Sequence, residues 1–197
     1  MLTIKAMIVL LLIPWLDEWD NMVEKTYNYF NIPFEEDEFS RFHQVMLDYE
    51  KHHKKYDKKE MSKYFSNNLG KEIPDTFVDV WTGYLSELVP RKDKQLIELL
   101  EYLSSKYSLV VASNWFYDQQ VSKLKKYGIY KYFDEVLTAD KYYKKPYKEM
   151  YEKACEGFEK NEVVMVGDTF KTDIKSAMDF GIYSYYLTTT DPRKGKK

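Results

Sequence analysis

From Pro90 to Leu187 the chain alternates amphipathic segments with short apolar runs, and that alternation restricts the fold more than any other feature. Lys92 to Lys106 carries Leu96, Leu99, Leu100 and Leu103 on one helical stripe, and Ser108 to Ser113 follows as an apolar strand. Asp118 to Tyr127 reads as a helix with Gly128 as its C-cap. Phe133 to Leu137, Glu162 to Val166 and Ile182 to Leu187 read as strands, and helices over Pro146 to Phe158 and Thr172 to Phe180 separate them, the second closed by Gly181. Such repetition builds βαβ units, whose right-handed crossovers give a parallel sheet with helices on both faces. Ligands of open α/β sheets bind outside the carboxyl ends of the strands. That rule gathers Leu10 to Leu12, Ser113-Asn114, the Lys144-Lys145 region and Gly167-Asp168 around one crevice.

The run Met7 to Leu16 is continuously apolar, as a strand covered on both faces should be. It falls short of the roughly 20 residues that span a bilayer. Pro14, Trp15 and Leu16 followed by Asp17, Glu18 and Asp20 do not make the small-residue cleavage site of a signal peptide. Between Asp17 and Arg91 no comparable β-branched run occurs, and Asn21 to Phe30, Glu36 to Tyr56 and Pro74 to Leu88 show helical spacing. Breaks fall at Ile32-Pro33, Asn67 to Gly70 and Pro74. The predicted fold class is therefore α/β, a Rossmann-like doubly wound parallel sheet formed by residues 1–16 and 91–197, with an inserted helical cap over residues 17–90. The cap aromatics Phe39, Phe42, Tyr49, Tyr64, Phe65, Trp81 and Tyr84 either form its core or offer a face to a partner or a second copy of the chain.

Charge excludes some functions. The 30 basic and 32 acidic residues nearly cancel, so no global field steers the chain to nucleic acid or an anionic membrane. Only Arg41, Arg91 and Arg193 supply the guanidinium favoured for bidentate base and phosphate contacts. Nucleic-acid and membrane partners are accordingly not expected. A lone Cys155 in a helical context reads as a buried structural thiol, and with no disulfide to form, the chain fits a reducing, cytoplasmic setting. Lys51 to Lys59 reads as a solvated helix face, and its His52 and His53 diverge by about 100° on a helix, too far to share one metal. The Lys-rich tail Arg193 to Lys197 reads as a frayed terminus.

Three strand ends carry chemistry. Ser113 and Asn114 offer a hydroxyl and an amide to phosphate oxygens. Lys145 at a helix start adds a point charge, with Lys144 beside it. Asp168 and Asp173 supply two carboxylates of the kind magnesium prefers, after the turn that Gly167 permits. Each also has an ordinary reading: an Asp pair can charge a helix N-terminus, Ser-Asn can make a turn, and a lysine can lie in solvent.

Taken in order, Ser113-Asn114, Lys145-Pro146 and Gly167-Asp168 with Asp173 resemble the haloacid dehalogenase-like hydrolase superfamily of the helical-cap type, over essentially the whole chain. The resemblance implies phosphate binding by Ser113, Asn114 and Lys145 and magnesium binding by Asp168 and Asp173. It also implies a first strand ending in Asp-x-Asp-Gly-Thr, whose first Asp attacks phosphorus and whose second transfers protons. Here Leu10 and Leu12 stand at the two acid positions, and Ile13, Pro14 and Trp15 replace the residues that follow. Leucine has no lone pair to attack with, and losing a nucleophile costs on the order of 10⁶ in rate. The expectation is a pseudo-phosphatase that binds a phosphate-bearing small molecule, with magnesium held weakly at best. Two alternatives stand beside it. One is an active magnesium-dependent phosphohydrolase on a small phosphorylated metabolite, using an unrecognised nucleophile such as Asp17 or Asp20; the other is an interaction protein, a homodimer or a partner's ligand, working through the aromatic cap.

Overall fold

The computed structural model describes residues 4–9, 16–88 and 92–187. Leu10, Leu12 and Arg91, with the tail from Arg193, lie outside the described residues. Five parallel strands, β1 (Ala6–Val9), β2 (Ser108–Ser113), β3 (Glu135–Thr138), β4 (Val163–Gly167) and β5 (Tyr183–Tyr186), form one sheet in the order β3-β2-β1-β4-β5. β1 is central, pairing Ala6 with Ser108 on one side and with Val163 on the other.

Alternation along the strands gives each face its own core. Leu109, Val111 and Val136 pack with Leu100 of α5 (Lys94–Ser104) and with Leu124 and Tyr127 of α6 (Tyr117–Tyr127). Ala6, Val110, Ala112, Leu137 and Met165 pack on the other face with Met150, Tyr151 and Ala154 of α7 (Lys148–Ala154) and Ala177 of α8 (Ser176–Phe180). Gly128 and Gly181 close α6 and α8 at φ of 87° and 96°, the left-handed conformation that the two C-caps require. A π-helical turn, Phe170–Lys175, precedes α8.

Four helices fill the interval after β1: α1 (Leu16–Tyr29), α2 (Glu38–His52), α3 (Lys58–Leu69) and α4 (Phe77–Glu87). Their aromatics are spent mostly inward. Phe42, Tyr49, Phe65 and Trp81 are fully buried, and Phe39 and Tyr64 pack against them in part. Tyr84 meets Tyr29 and the Lys25 ammonium at the edge. Trp115, Phe116 and Ala139 from the sheet side complete this core, so the helical block and the sheet share hydrocarbon instead of meeting across a linker. Trp115 stands against Trp19, Tyr56, Trp81 and Phe116, with ring centroids 5.2 to 6.4 Å away.

Several expectations need correction. The first apolar run is a strand only as far as Val9 among the described residues, and Leu16 already opens α1. Lys51 to Lys59 is not one helix face, because α2 stops at His52 and α3 begins at Lys58. The interruption has a physical cause: the Tyr56 N–H donates to Ala139 O at 2.8 Å, its ring is buried, and Asp57 caps α3 by accepting from the Glu60 N–H. Both histidine side chains turn back onto α2, His52 Nδ1 lying 2.9 Å from Asp48 O and His53 Nδ1 2.9 Å from Tyr49 O. Cys155 is buried as read, but it caps α7 and does not lie within it, and burial pushes its thiol pKa up.

Because Trp115 belongs to both layers, Trp115→Ala should destabilise the whole chain by about 3–5 kcal/mol. Unfolding should remain a single transition. Urea denaturation followed by far-UV circular dichroism and by tryptophan fluorescence would check this, and two separated midpoints in the wild-type protein would refute the shared core.

Candidate anion site at the strand ends

The ends of β2 and β4 and the loop after β3 bring Ser113, Asn114, Lys145 and Asp173 together. Lys145 is the hub. Its side chain is 2% exposed, and Nζ donates to Asp173 Oδ1 at 2.7 Å and to Ala112 O at 2.8 Å. An ammonium has three donors, so one remains beyond these two acceptors among the described residues. Burial lowers the Lys145 pKa, and the charges of Asp173 and, more weakly, Asp168 oppose that shift. Asp168 is thus within electrostatic reach of the same ammonium.

Asp173 is completely buried, and its second oxygen, Oδ2, accepts the Thr169 N–H at 3.0 Å. It therefore holds both Lys145 and the loop of Asp168. Gly167 makes room for it: a Cβ on Gly167 would sit 2.5 Å from Asp173 Cβ, closer than side chains tolerate. Tyr151 steadies the same turn by donating to Thr172 O at 2.9 Å, and its hydroxyl lies 2.6 Å from Ser176 Oγ. A π-helical turn at such a position is a frequent device of functional sites.

Asn114 clasps the lysine loop through its amide. Nδ2 donates to Lys145 O at 2.8 Å while Oδ1 accepts the Lys145 N–H at 2.7 Å. It positions Lys145 and keeps one amide hydrogen for a ligand. Ser113 is nearly buried and pairs in register with Thr138, whose Oγ1 is buried without a partner among the described residues. Sequence reasoning missed Thr138, the Ala112 carbonyl and the Thr169 N–H; a strand-end threonine or a main-chain acceptor leaves no motif. It also passed over Trp115, although a tryptophan directly after Ser113-Asn114 was open to notice.

Of the carboxylates read as metal ligands, Asp168 is half-buried and among the described residues receives only the Thr169 hydroxyl at 3.3 Å, whereas Asp173 is engaged at both oxygens. Among the described residues no group of three or more His, Cys, Asp or Glu side chains could hold a metal ion. Residues 10–15 add no acid, because they read Leu-Leu-Leu-Ile-Pro-Trp. Asp20, an alternative nucleophile, is exposed on α1.

A family model described as haloacid dehalogenase-like hydrolase matches residues 20–186. The chain belongs to this family. The match starts beyond β1, so it rests on the helical cap and the later strand ends and owes nothing to the first strand. The chain is 37% identical over 87 residues to a glyceraldehyde 3-phosphate phosphatase of Methanothermobacter thermautotrophicus, an alignment covering 43% of this chain and 38% of that enzyme. The match thus spans less than two-fifths of the relative's length. The fold of the chain is similar to that of the HAD-hydrolase YfnB of Bacillus subtilis, a structure bound to magnesium, with a TM-score of 0.74, 17% identity and coverage of 94% and 89% of the two chains. It is also similar to L-2-haloacid dehalogenase of Xanthobacter autotrophicus, solved with chloropropionic acid covalently bound, at a TM-score of 0.69, 18% identity and coverage of 97% and 80%. Among the described residues no helix is long and apolar enough to cross a membrane.

Removing one member of a buried ion pair leaves the other charge uncompensated, at a cost of about 3–5 kcal/mol, whereas exchanging both for hydrocarbon is close to neutral. Asp173→Asn should therefore lower stability by about that amount, and the double variant Lys145→Met with Asp173→Leu should recover most of it. Gly167→Ala should cost about 1–3 kcal/mol by displacing Asp173. Urea denaturation of the variants measures all three; a double variant no better than Asp173→Asn would show that the pair is not the unit described.

Proposed function

We propose that this family member binds a phosphate-like anion at Ser113, Asn114 and Lys145 without phosphoaspartyl turnover. The observation that carries the reading is the conjunction of a buried, partly unspent Lys145 ammonium with a first strand followed by Leu10 and Leu12, where the family's attacking and proton-transferring acids belong. Magnesium fits the donor set poorly. The ion is usually held by one or two carboxylates plus substrate phosphate, and among the described residues Asp168 is the one carboxylate at the site not committed to an ion pair. Weak magnesium binding is part of the proposal.

Similarity to a glyceraldehyde 3-phosphate phosphatase supports a second reading, an active phosphohydrolase with a nucleophile outside the family motif. Docking through cap aromatics has less in its favour, because most of those rings are already buried.

With magnesium and p-nitrophenyl phosphate the purified protein should show no turnover above blank. Inorganic phosphate should bind, and Ser113→Ala should weaken it about tenfold, near the 1–1.5 kcal/mol of one hydrogen bond. Calorimetric titration reads the binding. Beryllium fluoride separates the readings, since an adduct on any carboxylate, with turnover abolished by Asp168→Asn, would establish the enzyme and end the binding-only proposal.

A further inference from the structure

A parallel sheet is ordinarily covered on both faces, and here one face is covered only in part. α5 and α6 lie over β2 and β3, where Leu109, Val111 and Val136 are buried. Beyond β1 the same face opens. Val163 and Met165 of β4 are buried on the α7 side, but Val164 and Val166 are only half-buried, and Tyr185 of β5 and Leu187 are 62% and 45% exposed. The result is a groove of about 480 Å³ between α5 and β5, floored by Met7, Val164 and Val166 and walled by Leu96, Leu99 and Tyr185. Its lining among the described residues carries no charged side chain. β5 is also the last strand of the sheet, and Tyr183–Tyr186 holds neither the charge nor the proline that commonly guards an exposed edge.

Two features select what covers this face. Residues 188–197 follow β5 as Thr-Thr-Thr-Asp-Pro-Arg-Lys-Gly-Lys-Lys, with no large apolar side chain to fill such a groove. Residues 10–15 are apolar, but they join Val9 at the carboxyl end of β1 to Leu16 of the cap, whereas the groove extends to Ile4 and Tyr107 at the amino ends of the strands. The second feature is a matching ridge on α5 itself: Leu99 is 52% exposed and Tyr102, one turn on, is exposed as well. The groove lacks a helix, and the helix at its wall has an apolar side without a cover. Two copies related by a twofold axis satisfy both needs at once.

We propose that a second copy of this chain covers the groove, each copy seating the Leu99 side of α5 on β4 and β5 of the other. That arrangement brings Glu98 and Glu101 of α5 towards the end of the other copy's β5, after which the sequence carries Arg193, Lys194, Lys196 and Lys197. The contact uses none of the cap aromatics and is independent of the anion-binding reading.

Light scattering coupled to size-exclusion chromatography tests it on the full chain. The wild-type protein should be a dimer at micromolar concentration. Leu99→Glu and, separately, Tyr185→Lys should each give a folded monomer, weakening association at least about tenfold, because each would bury a charge against hydrocarbon. Tyr29→Ser, at an exposed position on α1 of the cap, should leave the dimer intact. A wild-type monomer overturns the proposal, whether or not its groove then takes up an apolar dye as a small-molecule site would. A dimer that survives both groove variants overturns it too, and so does one lost in Tyr29→Ser, which would put the contact on the cap. Loss of the far-UV helical signal in both groove variants would show that those side chains hold the chain itself together, and would equally overturn it.

Discussion

The buried pair of Lys145 and Asp173 is the constraint around which the strand ends are arranged. Neither charge can be solvated, so each must be met by fixed polar groups: the Ala112 carbonyl on one side and the Thr169 N–H on the other. Gly167 follows from the same requirement, because any side chain there would push Asp173 away. The amide of Asn114 then fixes the backbone of Lys145 at both its N–H and its C=O. Three segments distant in sequence are held in register by one ion pair and the contacts that satisfy it.

That cluster is not independent of the cap. Trp115, the residue after Asn114, enters the aromatic core of the helical block, and Ala139 both donates its N–H to Trp115 O and accepts the N–H of Tyr56. Lys58 adds a bridge from α3 to Asp118 of α6 at 2.6 Å, and Lys126 of α6 reaches Ser86 O of α4 at the same distance. Displacing the cap would therefore disturb the loops that carry Asn114 and Lys145. Crevice shape and cap packing are a single problem for this chain.

How much of this was legible in the sequence depended on whether the cause was local. β2 was read with its observed ends, and Gly128 and Gly181 marked helix ends correctly, because a left-handed cap needs only its own residue; the break read over Asn67 to Gly70 began too early, since α3 runs on to Leu69. The end of α2 was not legible: helical spacing continues through Tyr56, and what stops the helix is a contact with Ala139, far along the chain. Lys145, Asp168 and Asp173 were legible as a set from their order. Their division of labour was not, since nothing in the spacing distinguishes a carboxylate buried on a lysine from one left half-open.

Stability alone does not account for such a site. A buried ion pair exchanged for well-packed hydrocarbon is commonly as stable or more so, and the segment just beyond β1 already carries hydrocarbon at Leu10 and Leu12. If holding the fold together were the only demand, the same exchange at Lys145 and Asp173 would serve it. Their presence asks for a role that hydrocarbon cannot fill, and an ammonium with a donor to spare near a strand-end serine is what the proposed anion-binding role requires. The acids that would then break that anion's phosphorus–oxygen bond are what the sequence of the first strand leaves out.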